Sequence, residues 1–358
     1  MSSAAAQLNI QAQQKIDVLV ESFIDKLKRR QITGSHNVAI ATCQFLMRVT
    51  STSRWNDHDE FITLIRTVGK RVIDAQPREF AAGNIVRRVL ALIRDELNST
   101  HSTSNMPVST SMFQLLTIHE KPAIEKNTDK IDMRSIVIQG IRDLMDEIHS
   151  VHENIELMTV DLIHDNEILL TPTPGSSTVL NFLLKASLKR KFTVLVTENY
   201  PNDIEQCHTF AKKLAEANIE TIIIPDSTVF AVMSRVGKVL IGTRSVFANG
   251  GCVTASGVAT VCECAKEHRT PVFAVSGLYK LSPSHPFNRD DLIEVGNSGK
   301  VLAYDESALV GKCEITNSLY DYIEPDSIDI YITNIGGFSP NFIYRIVLDN
   351  YNQEDVDL

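Results

Sequence analysis

"VLIGTRSVFANGGCVTASGVAT", residues 239–260, decides how the second half of this chain is read. An apolar, β-branched run leads into a turn with Arg244, Asn249, Gly250 and Gly251, and a helical pattern follows. Strand, glycine turn and helix in that order are the unit of an α/β sheet. Ligands bind such sheets beyond the carboxyl ends of the strands. Yet this turn holds no acid, imidazole or evident nucleophile, so it is either an active site or the shell of one.

Working outward, the same alternation recurs. "EILL", "FTVLVT", "IETIIIP", "KVLIG", "PVFAV" and "IDIYIT" read as short strands. "SSTVLNFLLKASLKR", "DIEQCHTFAKKLAEAN" and "STVFAVMSRVG" read as helices between the first of them. Continuous apolar runs predict strands buried on both faces of a parallel sheet. The region before is helical. In "QQKIDVLVESFIDKLKRR", Ile16, Leu19, Val20, Phe23, Ile24 and Leu27 fall at helical spacing. "DEFITLIRTVGKRVIDA" and "NIVRRVLALIRDEL" repeat the pattern, with Pro77 between them. The expected fold class is α/β: a helical N-terminal domain at 1–155, then a doubly wound, mostly parallel, Rossmann-like sheet domain at 156–358. A Ser/Thr-rich insertion, 98–111, reads as a loop.

Composition narrows the function. The chain has 358 residues, a hydrophobic content of 43% and a net charge of −9. That balance argues against a nucleic-acid surface, which is normally basic. The densest basic run, "LKRKF" at 188–192, reads as a solvated helix end. The six cysteines lack paired C-x-x-C spacing, so no zinc site is expected, and they read as reduced thiols packed in the interior. The first residues carry no apolar run of signal-sequence length, and no run of about 18 apolar residues exists. A cytosolic protein without a membrane span is therefore expected.

At the strand ends, "LTPTPGSSTV" has one glycine rather than the G-x-G-x-x-G of dinucleotide sites. Gly175, Ser176 and Ser177 suit either a helix cap or an anion at a helix N-terminus. Asn249-Gly250-Gly251 suits either close approach to a ligand or an empty tight turn. His285, between prolines, reads as a loop residue. Thr173, Glu198 and Arg244 do not assemble a base with a nucleophile. No cofactor is expected.

"VFAVMSRVGKVLIGTRSVFANGG", "KLSPSHPF" and "YDYIEPDSIDIYITNIGGFSPNFIYRI" resemble the regulatory subunits of eukaryotic translation initiation factor 2B. "TNIGGFSPNFIYR" is the most specific part. The wider family includes sugar-phosphate isomerases with a catalytic cysteine in a motif like L-T-H-C-N and a catalytic aspartate in one like G-A-D-R-I. By this resemblance "LTPT" puts Thr173 at the cysteine position, and "GTRSV" puts Arg244 at the aspartate position. An N-G-D becomes Asn249-Gly250-Gly251. Threonine without a base is a weak nucleophile, and arginine cannot take up a proton. The resemblance therefore implies a non-enzyme with a vestigial pocket at Thr173, Gly175, Ser176, Ser177, Arg244, Asn249, Gly250 and Gly251.

It further implies a regulatory scaffold in the guanine-nucleotide exchange factor for initiation factor 2. Its partners would be delta most directly, then alpha, gamma and the catalytic epsilon. The core would bind the alpha subunit of initiation factor 2 and sense its phosphorylation. His164, Asn166, Ile168 and Thr193 would lie at the symmetric contact between subunit pairs, or at ordinary strand edges. Asn334, Gly336, Gly337 and Tyr344 would support pairing with delta. The alternatives are a non-catalytic sensor of a sugar phosphate or nucleotide, and an active sugar-phosphate isomerase.

Overall fold

The structure is a computed structural model that describes residues 2–55, 57–101, 133–286 and 288–358. Most of the Ser/Thr-rich insertion, 102–111, lies outside the described residues. The chain divides into two compact units, one of Met1–His149 with Arg345–Leu358 and one of Ser150–Tyr344.

The first unit is helical. Its elements are α1 (Ser2–Lys28), α2 (Ser35–Thr52), α3 (His58–Ala75), α4 (Phe80–His101) and α5 (Met133–Leu157), the last crossing into the second unit. Ile16, Val20, Phe23, Ile24 and Leu27 of α1 are buried as their spacing predicts, and Leu19 is half-buried. Phe23 stacks on Phe45 of α2, ring centroids 4.5 Å apart. Asp57 caps α3 by accepting from His58 N at 2.7 Å, and Asp59 and Glu60 add carboxylates to the first turn, where the helix dipole favours them. Gly69 lets α3 and α4 approach closely, because a Cβ there would overlap Val86.

The second unit runs α6 (Thr159–Leu162), β1 (Glu167–Thr171), α7 (Ser177–Ser187), β2 (Phe192–Thr197), α8 (Ile204–Glu216), β3 (Glu220–Ile224), α9 (Val229–Met233), β4 (Lys238–Gly242), β5 (Ser245–Phe247), β6 (Cys252–Ala255), α10 (Val258–His268), β7 (Val272–Val275), β8 (Leu281–Ser282), α11 (Ser307–Val310), β9 (Tyr320–Ile323), β10 (Ile330–Thr333) and β11 (Gly336–Phe338). A final helix, α12 (Ile343–Asn350), leads into the chain's last segment. Among the described residues the main sheet has the order β11-β10-β7-β4-β1-β2-β3, parallel except for the β10–β11 hairpin. The chain winds outward from β1 to β3 on one side and from β4 to β10 on the other. The switch point between β1 and β4 is where a doubly wound sheet opens its crevice.

Three features depart from the sequence expectation. The 239–260 stretch is not one strand, one turn and one helix: β5 and β6 form a hairpin before α10 begins. Asn-Gly with φ +84° at Gly250 is a hairpin signal, and Val246 pairs with Cys252 across it. With β8 and β9 this hairpin makes a second, four-stranded sheet, order β8-β5-β6-β9. Next, β3 is not buried on both faces. As an edge strand it leaves Ile222 45% and Ile223 44% exposed. Finally, Arg345–Leu358 groups with the helical unit rather than with the sheet, because arginines of α3 and α4 bind it.

Candidate functional site

At the switch point, the turn after β1 and the end of β4 are bonded to each other. Thr173, where the resemblance puts a catalytic cysteine, is buried, and its Oγ1 accepts from Gly242 N at 2.9 Å. Thr171 Oγ1 lies 3.4 Å from the same hydroxyl. Ser176 caps α7, its Oγ accepting from Val179 N at 3.3 Å. It fits there because Gly242 has no side chain; a Cβ would overlap Ser176 Oγ. Gly175 likewise leaves room for Gln206. Ser177 is exposed beside a cavity of about 350 Å³ that Glu205, Gln206 and Lys213 also line.

On the β4 side, Arg244 is half-buried. Its guanidinium lies over the Tyr320 ring, 4.2 Å from the centroid, and donates to the Tyr320 hydroxyl. That is a cation–π clamp, not an acid–base position. Asn249 donates to Tyr322 OH at 2.8 Å and accepts from Gly251 N at 3.0 Å. Gly250 O accepts from Tyr331 OH at 2.8 Å, and a Cβ on Gly250 would overlap Pro340 O. A Cβ on Gly251 would overlap the Tyr322 hydroxyl. Thr254 Oγ1 donates to Gly242 O at 2.7 Å.

Four functional-looking residues were not anticipated. Lys280 is 5% exposed, and its ammonium donates to Thr243 O at 2.8 Å. It sits in "LYKL", which composition marks as a loop. Tyr320, Tyr322 and Tyr331 hold the hairpin, and "YDY" alternation in β9 was the available signal, since residues i and i+2 share a face. Cys252 of β6 is fully buried, and burial pushes its thiol up to about 12, so it carries no thiolate at neutral pH. His285 is exposed in its loop. Among the described residues, no group of three His, Cys, Asp or Glu side chains is placed to hold a metal. The switch point thus offers bound hydroxyls, amides and cations, with Asp203, whose carboxyl is pushed up by burial, near Gly175 and bonded by Asn199 at 3.2 Å.

The other predicted residues sit at the amino ends and edges of the sheet. Ile168 and Thr193 are direct Cα partners between β1 and β2, and Thr193 partners Glu220 of β3, its Oγ1 donating to the Glu220 carboxylate at 2.8 Å. His164 and Asn166 are exposed in a braced loop. His164 N donates to Glu167 at 3.0 Å, and Asn166, at φ +61°, donates through its N–H to Lys191 O at 2.6 Å. Glu167 is in turn paired with Lys238 at 2.6 Å. At the opposite edge, Asn334 Oδ1 accepts from Leu278 N at 3.0 Å, Gly336 and Gly337 form β11, and Tyr344 is 50% exposed. These eight residues therefore fall into two groups, one running from the loop before β1 across β1 and β2, and one at β11 and the start of α12.

A curated relative from Schizosaccharomyces pombe, translation initiation factor eIF2B subunit beta, is 38% identical and is matched over 95% of this chain and 97% of its own. A solved structure, the tetrameric eIF2B-beta2-delta2 complex from C. thermophilum, contains a chain 32% identical with TM-score 0.71, covering 97% of this chain and 99% of that one. A ribose 1,5-bisphosphate isomerase of Archaeoglobus fulgidus is more distant, 28% identical over 63% of this chain and 71% of its own. Of these three, the two exchange-factor subunits are the more similar and the isomerase stands further off. A family model described as the initiation factor 2 subunit family matches residues 31–340. The chain belongs to the initiation factor 2 subunit family.

Proposed function

We propose that this chain is a non-catalytic, regulatory subunit of the guanine-nucleotide exchange factor for translation initiation factor 2, working as a beta-type subunit beside a delta-type one. The observation that carries this reading is its near full-length likeness to a chain of the eIF2B-beta2-delta2 complex. The bonded crevice agrees with it. Thr173 and Arg244 are both committed to internal contacts, so neither of these two positions supplies a nucleophile or a base. The β1–β2 group (His164, Asn166, Ile168 and Thr193) is proposed as the contact between subunit pairs. The β11 group (Asn334, Gly336, Gly337 and Tyr344) is proposed to support pairing with delta. Alpha, gamma and epsilon complete the assembly, which acts in the cytosol. It binds the alpha subunit of initiation factor 2 and distinguishes its phosphorylated form, whose added charge of about −1.5 to −2 alters docking.

The test is a tagged pull-down with mass spectrometry of stoichiometric partners. Recovery of four other exchange-factor subunits with initiation factor 2 is expected. Recovery of the chain alone, as a homodimer, overturns the reading. A second reading, a non-catalytic anion sensor, draws on the cavity beside Gly175, Ser176 and Lys213. Equilibrium binding of sugar phosphates and nucleotides separates the two.

A further inference from the structure

The chain's last segment lies in an arginine-walled groove of the helical unit. Arg66 comes from α3; Arg87, Arg88 and Arg94 come from α4. The Asp355 carboxylate, 0% exposed, receives Arg66 Nη1 at 2.6 Å and Arg94 Nε at 2.7 Å. The main chain is held as well. Arg66 donates to Glu354 O at 2.7 Å and to Asp357 O at 2.9 Å, and Arg87 Nε donates to Val356 O at 3.1 Å. Arg88 bonds the Asn350 side chain and pairs with Glu147 at 3.1 Å.

Recognition here uses one buried carboxylate and three carbonyls. A second carboxylate joins from the outside: Glu354, 69% exposed, pairs with Arg94 Nη1 at 2.6 Å, while the side chains of Gln353 and Asp357 are exposed. Bidentate guanidinium–carboxylate contacts are among the stronger hydrogen bonds a protein makes. The groove also needs to be filled. Burial lowers the pKa of Arg87, which marks a cation short of water, and stripping the acid away would leave neighbouring guanidinium groups uncompensated. Only an anionic segment answers that requirement. The clasp is also partly wet, with Arg66 33% and Arg94 20% exposed, so water and salt compete for it.

We infer that the groove between α3 and α4 is an acidic-peptide site, filled in cis by residues 352–358, which an acidic peptide of a second protein with aspartate in the Asp355 place can enter by exchange. The probe is the labelled heptapeptide Asn-Gln-Glu-Asp-Val-Asp-Leu, followed by fluorescence polarisation against the full chain and against Asp355→Lys, whose own segment Arg66 and Arg94 would repel. Binding at least tenfold tighter to Asp355→Lys is expected, with loss of binding when the peptide's first aspartate becomes asparagine. Equal binding to both chains, or none to a variant that keeps its helical circular dichroism, overturns the inference. Should Asp355→Lys not fold, hydrogen exchange on the unaltered chain decides. Excess unlabelled heptapeptide is expected to speed exchange at 352–358 several-fold, and an unchanged rate overturns the inference.

Discussion

The crevice at the β1–β4 switch point and the outer strand β3 belong to one sheet, yet they are finished differently. In the crevice, Thr173, Arg244, Asn249 and Gly250 all bond inward, to Gly242, Tyr320, Tyr322 and Tyr331. At β3, Ile222 and Ile223 face outward, one to each side of the strand, and the strand's outer hydrogen-bonding edge is unpaired within the sheet. The inward bonding is not complete, since the buried hydroxyls of Thr197 and Thr243 at the strand ends have no hydrogen-bond partner. Edge strands with exposed apolar side chains are normally blunted or covered. The difference is one of packing: the crevice residues are held by one another, while the rim leaves apolar side chains in water.

The largest test of that contrast is Gly250→Ala. The residue has φ +84°, and its Cβ would overlap Pro340 O, so backbone strain and a clash with main chain combine. A loss of about 2–4 kcal/mol is expected in thermal or denaturant unfolding. A change under about 0.5 kcal/mol would mean that the hairpin is not packed as described. Thr173→Val comes next. It keeps the shape but strands the buried Gly242 N–H, and a cost of about 1–3 kcal/mol is expected.

Arg244→Asp puts an acid at the position where the resemblance to sugar-phosphate isomerases implies a catalytic aspartate. We expect about 1–2 kcal/mol of destabilisation from the lost stack on Tyr320, and no turnover of ribose 1,5-bisphosphate even together with Thr173→Cys. Turnover would show the crevice to be open. The smallest effect on folding is expected at the rim. Ile222→Ala with Ile223→Ala should shift stability by less than about 0.5 kcal/mol, because both side chains are already half in water. The same pair should weaken the proposed association between subunit pairs, read as loss of the larger assembly on size-exclusion chromatography of the co-purified complex. Full recovery of the larger assembly would remove β3 from the assembly surface.

A thiol probe sharpens the contrast further. Exposed Cys313 should be alkylated within minutes at pH 8, whereas Cys252, buried and pushed up to about 12, should react only on unfolding. Prompt labelling of Cys252 would contradict a closed hairpin.

Much of the fold was legible in local pattern. Helical spacing from Ile16 to Leu27 placed the buried face of α1, and β-branched runs located the parallel strands, because periodicity and propensity are local properties. The second sheet was not legible. β5 and β8 are too short to show a period, and their pairing joins residues far apart in the chain. "IETIIIP" resembled a buried strand because its isoleucines have the composition of a core, although Ile222 and Ile223 are left half in water at the sheet edge. Lys280 was hidden for the converse reason, since a lysine is rarely buried without a partner, and its partner is the carbonyl of Thr243.

By itself, the sequence determined the alternating strands and helices and the presence of threonine and arginine at Thr173 and Arg244. The tertiary structure alone decided what those residues do. Thr173 meets Gly242 because β1 and β4 are neighbours in the sheet, and Arg244 meets Tyr320 because β6 pairs with β9 and brings that strand beside the hairpin. Spacing of two or of 3.6 residues is written in adjacent side chains. A hydrogen bond between distant segments exists only once strand order and register have been set.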